Sequence, residues 1–408
     1  MNLDIHTMKS NTYKLHIGGK IALAILSVCG IIAVFYTLRD GHIVTNATQG
    51  TPWGLWVATY IYLIGLSAGS FILSSLVYVF KLKQFEAAGH VALTQAFICM
   101  VIAGFFIIID LGHPLRMVNI LLSWNPTSVM AWMGMFYMMY LTVIVLEMKY
   151  SMSNLFHKNN LGHGDSEQII KRNHKILFYL GVIGILIALG VHGGVGTIFA
   201  VAKARPNWFG GLFPIVFIIS AIASGGGLLT FLSGFLLKLN EEKKVLLLRN
   251  ILFVAIGFLI FDYLMLSAEM LTIFYGGIEH ETAGWREMLF GRYWYTFWFL
   301  QLGIGIAFPL SVVFSKLRSH SSKWLMYAGL AIAVGIYGTR MNIVMPAQYS
   351  ETLPGISEAN HHFRFSLGYF PSAIEILLVL GGIALFGWLF LLANKYLPLN
   401  TEQNLESK

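Results

Sequence analysis

Residues 90–116 read HVALTQAFICMVIAGFFIIIDLGHPLR. The twenty positions before Asp110 contain no Lys, Arg, Asp or Glu, and about twenty apolar residues is the length of α-helix that crosses the hydrocarbon core of a bilayer. The run then ends in Asp110, His113 and Arg116 within seven positions. In water this would be an ordinary helix end, so its meaning depends on the solvent around it.

The composition of the whole chain indicates that this solvent is lipid. Of its 408 residues, 57% are apolar and only 11% are charged, whereas charged residues make up about a quarter of soluble domains. Apolar runs of similar length recur, so we predict an all-α integral membrane protein, a single polytopic membrane domain over residues 1–408. The ten predicted transmembrane helices cover residues 18–38, 54–80, 88–110, 127–148, 175–200, 211–237, 247–275, 293–315, 322–345 and 371–396.

The basic residues predict the orientation of the chain. Ten spans place both termini on one side of the membrane, and 19 of the 27 Lys and Arg then fall on that side, against 8 on the other. By the positive-inside rule, both termini are cytoplasmic. This bias also accounts for the net charge of +8 without a nucleic-acid partner. Because no small-residue cleavage site follows the first apolar run, we interpret that run as a retained helix.

The longest connections, about residues 149–174, 276–292 and 346–370, are too short to fold as domains of their own. We interpret them as loops, and the stretch NLFHKNNLGHGDSEQ at 154–168 as a polar, mobile one. The external connections are rich in aromatic residues, Pro and Gly, which suits a surface on which a partner docks.

Ionisable residues inside the predicted spans point to a site. A charge at the bilayer centre costs at least about 2.5–3.5 kcal/mol, so such residues tend to face the bundle interior and to mark function. Asp262 lies near the middle of the seventh span. Five different spans each place one ionisable residue in the outer half of the membrane, namely Asp110, His192, Glu269, Arg340 and Glu375. We expect a polar pocket that opens outward; structural ion pairs such as Asp110–Arg116 or Glu375–Arg340 are the alternative.

Acids, a histidine and an arginine at one depth suit the binding of a polar headgroup and the movement of protons with it. A quinone fits, because its carbonyl oxygens take up protons on reduction while its tail prefers lipid. Asp262 would then begin a proton path toward the interior. A secondary transporter would use the same buried charges for coupling, but transporter sites prefer the midplane, where only Asp262 lies.

Resident metal cofactors are disfavoured. Cys29 and Cys99, the only two cysteines, cannot complete an iron–sulfur or zinc site, which takes about four ligands. A haem with two histidine ligands needs them at equal depth on facing helices. His90 and His192, however, lie at opposite faces of the membrane, and His113 lies in a loop.

Five stretches carry a resemblance to a known family: TPWGLWVATYIYLIGLSAGSF (51–71), IDLGHP (109–114), ALGVHGGVGTIFAVAKARPNWFGGLFP (188–214), LSAEMLTIFYGG (266–277) and GYFPSAIEILLVLG (368–381). In their order and spacing they resemble the NrfD-like family, also called the polysulfide reductase membrane-subunit family. The resemblance covers about residues 50–398. The ten-span length is similar to that of the longer branch, with its HybB-type hydrogenase subunits and DsrP-type sulfur-metabolism subunits.

The resemblance implies a fold and a setting. The family fold has two four-helix bundles, here 54–200 and 211–345, flanked by an extra helix at each end, 18–38 and 371–396. Its members bind quinone (menaquinone or ubiquinone) near the outer face of the bacterial inner membrane and hold no haem or iron–sulfur cluster of their own. They exchange electrons with a periplasmic ferredoxin-like iron–sulfur subunit, which is linked to a further catalytic or multihaem subunit of anaerobic respiration.

The resemblance assigns quinone binding and proton transfer to Asp110, His192, Glu269, Arg340 and Glu375. Four secondary candidates are His113 and Arg116, in a segment that varies more in the family, and Trp53 and Arg205. We therefore expect a quinone-reactive membrane anchor subunit of a respiratory oxidoreductase complex, inactive alone, which translocates protons if Asp262 conducts them. The alternatives are a secondary transporter or ion pump, a haem cytochrome and a passive anchor.

Overall fold

The computed structural model describes residues 16–159, 164–277, 279–349 and 366–397, together with the single positions 355, 359, 362 and 399. Within these ranges the chain has ten helices long and apolar enough to cross a membrane, and no β-strand. The chain is therefore an all-α, multi-pass membrane protein, as its composition predicts. The two termini, whose side of the membrane the basic residues predict, lie outside the described residues.

The helices follow the predicted order of spans. The eighth span is a π-helix, Thr296–Ala307, that continues into an α-helix. Two short helices lie between spans. In chain order the α-helices are α1 (Ile17–Asp40), α2 (Leu55–Tyr78), α3 (Gly89–Asp110), α4 (Asn119–Leu122), α5 (Val129–Asn159), α6 (Gly164–Ala200), α7 (Phe213–Leu236), α8 (Glu241–Gly276), α9 (Glu279–Leu289), α10 (Phe308–Val313), α11 (Ser322–Val344) and α12 (Ala373–Tyr396).

Contacts among the helices centre on α2 and α7. In the first half α2 packs on α3 and α6, and α5 packs on α6; in the second half α7 packs on α8 and α11, and α11 packs on the π-helix. α1 and α12 pack on each other, and α12 also lies against α3. α2 and α7 contact each other directly and share one apolar cluster, while a second cluster is formed by buried residues of α7, α8, α10 and α11 alone. The division into two four-helix bundles stays a prediction.

Glycines allow these helices to approach closely. A Cβ on Gly225 in α7 would lie 2.5 Å from the backbone nitrogen of Ser70 in α2. A Cβ on Gly30 in α1 would lie 2.6 Å from Cα of Gly381 in α12. Both separations are shorter than real Cβ contacts, so a larger residue would push the helices apart. Small residues at helix crossings are the expected means of packing in lipid.

Two connections interpreted as loops are largely helical, so those loop predictions were wrong. α5 continues to Asn159 and α6 begins at Gly164. The stretch that was predicted to be a mobile loop is therefore helical on both sides of residues 160–163, which lie outside the described ranges. The connection 276–292 contains α9. Hydropathy detects where a helix leaves the hydrocarbon and not where the helix ends, and no proline interrupts either segment.

The eighth span departs from α-helical geometry, which hydropathy alone did not predict. π-helices are rare and occur frequently at functional sites. This one carries Gln301, whose side chain is buried. Its Oε1 accepts a hydrogen bond of 2.7 Å from Nδ2 of Asn342 in α11. The π-helix therefore places an amide among the polar groups of the interior.

Candidate functional site

A buried histidine–arginine pair lies where α6, α7 and α11 meet. Nη2 of Arg340 lies 3.2 Å from Nε2 of His192, and the two side chains are 0% and 1% exposed. Because a guanidinium can only donate, the contact requires His192 to accept through Nε2 as a neutral imidazole. Nδ1 of His192 has no hydrogen-bond partner among the described residues. That nitrogen is therefore available to a ligand.

α7 holds the guanidinium of Arg340. Nη2 donates to the hydroxyl of Ser220 at 2.6 Å and to the backbone carbonyl of Phe217 at 3.4 Å, and the guanidinium carbon lies 4.1 Å from the centre of the Phe217 ring. Asp262 of α8 is close enough to attract Arg340 electrostatically, but the two form no ion pair of 4.0 Å or less. Nε and Nη1 of Arg340 have no partner among the described residues. The N–H groups of these two nitrogens are therefore free to donate to a ligand.

Gly65 of α2 leaves the space that His192 occupies. A Cβ on Gly65 would lie 2.9 Å from Cε1 and 3.0 Å from Nε2 of the imidazole, a distance that would force the ring to move. On its other side the imidazole packs against the ring of Phe217, with 5.5 Å between ring centres. The imidazole is thus fixed between α2 and α7. The GxxxG spacing of Gly65 and Gly69 predicts close helix packing, and here it also makes room for the site.

A narrow cavity is lined by two of the predicted acids, Asp262 and Glu269, but by neither His192 nor Arg340. Asp262, whose charge acts on Arg340, connects the cavity with the pair. Its water-accessible volume is about 60 Å³, enough for a few water molecules at about 10–15 Å³ each. Three buried polar atoms on its lining, Oδ1 of Asp262, Nε2 of Gln301 and Oδ1 of Asn207, have no partner among the described residues. Buried polar groups in native proteins are normally paired with protein or ordered water. We therefore expect ordered water in this cavity.

Trp53, a secondary candidate, belongs to an aromatic cluster next to the pair. Its ring stacks on Trp208 with 5.1 Å between ring centres and an interplanar angle of 19°, and both rings meet the edge of Phe199. Phe199 in turn packs on Phe217, the ring over which the guanidinium lies. Because Trp208 also lines the cavity, this cluster connects the external segments with the site.

Arg205, another secondary candidate, ties external segments together. Its guanidinium donates to the backbone carbonyls of Gln348 at 3.0 Å and Gly50 at 2.6 Å. The buried amide of Gln348 donates to the carbonyl of Trp53 at 2.6 Å and accepts from its backbone nitrogen at 3.0 Å. These contacts place Arg205 in the framework that holds Trp53, and not on the lining of the cavity.

Glu375 lies in a separate polar region at the start of α12. Its Oε2 accepts from the backbone nitrogens of Ser372 at 2.9 Å and Asn46 at 3.2 Å, and its Oε1 accepts from the hydroxyl of Tyr369. The Ser372 hydroxyl accepts from the backbone nitrogen of Glu375, which completes a capping box. Burial, followed by the neighbouring Glu375, raises the pKa of Tyr369, so that the phenol remains a donor. Both carboxylate oxygens are therefore used in holding the helix start.

Asp110 lies near Glu375 and away from the pair. It is partly buried at the end of α3, and its backbone carbonyl is 2.8 Å from Nε2 of His42. Its carboxyl group is close enough to that of Glu375 for the two to repel each other, and it makes no hydrogen bond with a described residue. Neither acid lines the cavity. Their roles in quinone binding stay predictions.

His113 and Arg116 lie in the exposed turn after α3. Their side chains form no hydrogen bond or ion pair with any residue that the structure describes. The alternative of structural ion pairs, Asp110–Arg116 and Glu375–Arg340, is absent from the described residues as well. His113 and Arg116 are thus placed for contact with something outside the chain, and their part in the site also stays a prediction.

Replacing Glu375 with Gln should lower stability and leave quinol-linked turnover unchanged. Only one of the two terminal atoms of the glutamine amide is an acceptor, so it cannot accept from all three donors that the two carboxylate oxygens serve. We therefore expect a loss of about 1–2 kcal/mol in the free energy of unfolding. Thermal unfolding in detergent, with turnover measured per folded complex, checks this. Ser372→Ala, which removes the other half of the capping box, should behave alike. A loss of turnover in Glu375→Gln at unchanged stability would place Glu375 in the site.

The charged members of the site could be identified from the sequence, but its neutral members were missed. Ser220 and the carbonyl and ring of Phe217 hold the guanidinium, and Gln301 and Asn342 form the polar side of the cavity. Serines in apolar spans commonly bond to their own helix, so Ser220 gave no signal. The two amides were the better clue, because Asn and Gln in spans tend to hydrogen-bond across helices.

Known proteins resemble this chain over most of its length. The model of the family described as polysulphide reductase, NrfD, matches residues 43–350, a segment that contains the histidine–arginine pair and ends before Glu375. A selenate reductase subunit from Mesobacillus selenatarsenatis is 35% identical over 93% of this chain and 94% of that protein.

Two further relatives are more distant. The Hdr-like menaquinol oxidoreductase integral membrane subunit of Archaeoglobus fulgidus is 27% identical over 95% of this chain and 94% of that protein. A polysulfide reductase protein of Wolinella succinogenes is 24% identical over 72% of this chain and 94% of that protein. Because the family model matches well over half of the residues of this chain, the chain belongs to the NrfD polysulphide reductase family.

Proposed function

We propose that this chain is the quinone-reactive membrane anchor subunit of a respiratory oxidoreductase complex. The proposal rests on the buried His192–Arg340 contact and on Asp262, which acts electrostatically on Arg340 and lines a cavity together with Glu269. The relatives named as parts of selenate reductase, polysulfide reductase and a menaquinol oxidoreductase support it. By the positive-inside rule the site lies in the outer half of the bacterial inner membrane, with both termini in the cytoplasm.

The pair can hold a quinol and take its proton. Nε and Nη1 of Arg340 are free to donate to an oxygen of the headgroup, and a fixed cationic donor stabilises the negative charge that develops there as the proton leaves. In the neutral ring Nδ1 of His192 carries the proton and donates to the headgroup, while Nε2 takes up the proton of the quinol and gives up its hydrogen bond from Arg340. Asp262 and Glu269 then pass it on through water in the cavity. Run in reverse, the same groups protonate a quinone during its reduction.

A quinone headgroup needs more room than the cavity provides. At about 60 Å³ of water-accessible volume, the cavity holds only a few waters. Binding therefore displaces some of the lining side chains, which include the large rings of Phe213, Trp208 and Trp285. The tail would remain in lipid.

The electrons leave the quinol for a partner. We propose that the chain holds no haem or iron–sulfur cluster, and no group of three or more His, Cys, Asp or Glu that could hold a metal ion is found among the described residues. The expected partner is a periplasmic ferredoxin-like iron–sulfur subunit, docked on the aromatic external segments and linked to a catalytic or multihaem subunit.

A secondary transporter or ion pump is the second candidate function. Asp262 favours it, because this carboxyl is 2% exposed, lies near the middle of α8 and has an oxygen without a partner among the described residues. A coupling site of a transporter has these properties. The two functions differ in whether quinol reacts.

The test is reduction of the partner's iron–sulfur centres by a short-chain quinol in the purified complex. We expect reduction in the native complex and a rate at least about tenfold lower in Glu269→Gln, because proton transfer by a placed acid or base contributes about 10²–10⁴-fold. Glu281→Gln is the matched control, since Glu281 is a neighbouring carboxyl outside the cavity lining, and it should stay within about twofold. A chain that purifies alone, shows no response to quinol and carries an ion current would instead be a transporter.

A further inference from the structure

A second, larger pocket lies at one end of the helices α2, α3, α5 and α6. It has a water-accessible volume of about 660 Å³ and is bounded by the end of α2, the start of α3, the end of α5 and the start of α6. The His192–Arg340 pair lies toward the opposite ends of these helices, so this pocket takes no part in the proposed quinone chemistry. Because it opens where spanning helices end, it lies at the boundary between membrane and water.

The rim of the pocket is basic. Lys81, Lys83 and Lys175 line it together with His174, and the one acidic residue on the lining is Glu86. All three lysines are exposed, and none of them forms an ion pair with a described residue. The pocket therefore has a net positive charge that nothing in the described part of the chain neutralises.

The wall of the pocket is apolar and aromatic. Leu82, Phe178 and Tyr179 line it, and each is more than a third exposed. On a spanning helix such as α6, exposed apolar side chains face lipid. A basic rim next to an apolar wall is the combination that suits an amphiphile with an anionic head.

The floor of the pocket carries hydrogen-bonding groups. The hydroxyl of Ser151 lies 3.2 Å from Nδ1 of His90 and 2.7 Å from the hydroxyl of Tyr78. The other ring nitrogen of His90 makes no hydrogen bond with a described residue, and Oδ1 of Asn154 is buried without a partner among those residues. All four side chains line the pocket. The floor can therefore bind a polar group that enters between the lysines.

The backbone at Lys81 closes the end of α2 in a left-handed turn, with the backbone nitrogen of Leu82 donating to the carbonyl of Leu76 at 2.9 Å. Lys81 has φ of 56°, and it is the one residue other than glycine with positive φ in the described part of the chain. Glycine adopts this conformation without steric cost, whereas other residues are strained in it. This helix-end turn places Lys81 at the rim of the pocket, and glycine can replace it there without backbone strain.

We propose that this pocket binds the phosphoryl group of an anionic phospholipid. The lysines contact the phosphate, the floor binds the polar part of the headgroup, and the acyl chains run along Phe178 and Tyr179. Basic pockets between transmembrane helices are known to take anionic lipid headgroups in this way. The basic bias of the sequence places the pocket on the cytoplasmic side.

The experiment measures lipid retention by the purified complex, using native mass spectrometry after exchange into dioleoyl phosphatidylglycerol or dioleoyl phosphatidylcholine. We expect preferential retention of phosphatidylglycerol, reduced about fivefold for each lysine removed, in Lys81→Gly and in Lys175→Gln. Lys316→Gln, an exposed lysine on the same predicted side and outside the pocket lining, should change retention less than about twofold.

Lys81→Gly separates binding from folding. Because glycine relieves the strained φ, the thermal midpoint without added lipid should be equal or higher, while retention of phosphatidylglycerol falls about fivefold. Equal retention of the two lipids, or native retention in Lys81→Gly, would overturn the proposal. Displacement of the lipid by millimolar inorganic phosphate alone would also overturn it, since the pocket would then take a soluble anion.

Discussion

Replacing His192 with alanine should lower quinol-linked electron transfer at least about a hundredfold, while the chain still folds and assembles with its partners. General acid–base groups contribute about 10²–10⁴-fold to the reactions they serve. His192 has Nε2 beside Arg340 to take up a proton, and its Nδ1 is without a partner among the described residues. The measurement is the rate at which a short-chain quinol reduces the co-purifying iron–sulfur centres, normalised to assembled complex.

Arg340 retains its other contacts in this variant, which is why folding should survive. Nη2 still donates to Ser220 and to the carbonyl of Phe217, so the guanidinium is not left unpaired. Removing the imidazole leaves a small cavity against α2, and a modest fall in the thermal midpoint is the expected cost. His320→Ala, which removes an exposed histidine near the start of α11, should leave both the rate and the thermal midpoint unchanged.

Normal turnover in His192→Ala would remove the imidazole from the chemistry. The proton acceptor would then have to be one of the acids, and Asp110, which makes no side-chain hydrogen bond with a described residue, would become the next residue to change. Loss of assembly together with loss of turnover would make the variant uninformative about chemistry, and His192→Gln, which keeps a polar group of similar size, would then decide between packing and proton transfer.

The architecture could be predicted from the sequence because lipid imposes a simple rule. Every backbone polar group in the hydrocarbon must be satisfied within its own helix, so apolar runs of sufficient length are helices. The order and number of the spans follow from this rule. The positions of the helix ends do not follow from it, because a helix that has left the hydrocarbon and entered water no longer needs an apolar surface. α5 and α6 therefore extend well past the predicted spans.

The buried charges could also be found from the sequence, but their grouping could not. Depth along a helix places His192 and Arg340 at one level, and it places Glu375 there too. Depth does not specify which face of a helix a residue occupies or what lies opposite, and those facts depend on how the helices pack. The structure brings His192 and Arg340 together and gives Glu375 the task of capping α12.

A local signal for the role of Glu375 was present in the sequence. Ser372 and Glu375 have the S-x-x-E spacing of a capping box just before an apolar run, a pattern that predicts a helix start. The capping box explains the burial of Glu375 without a ligand, and the role of Glu375 in quinone binding stays a prediction. No such local motif accounts for His192, Asp262 or Arg340, which makes these three the stronger candidates for function.

Replacing Arg340 with methionine should destabilise the chain by roughly 1–3 kcal/mol, because buried acceptors that bonded to the guanidinium are left without that donor. Methionine has a similar length and no donor, so Nε2 of His192 and the hydroxyl oxygen of Ser220 each lose a hydrogen bond, whereas the Phe217 carbonyl keeps the one from Ser220. Asp262 loses the only basic group whose charge is found to act on it. Unfolding in denaturant, followed in detergent by tryptophan fluorescence, measures the change.

The double variant Arg340→Met with Asp262→Asn tests whether the charge of Asp262 is part of that cost. If the two groups stabilise each other across the helix interface, removing both should cost less than the sum of the single changes by at least about 1 kcal/mol, since interacting residues are not additive. Arg340→Met with Glu281→Gln should be additive, because Glu281 has no described contact with the pair. Strict additivity in both cycles would mean that Arg340 and Asp262 are independent. The cavity would then have no electrostatic link to the histidine–arginine pair, and the proton route from His192 through Asp262 would have to be abandoned.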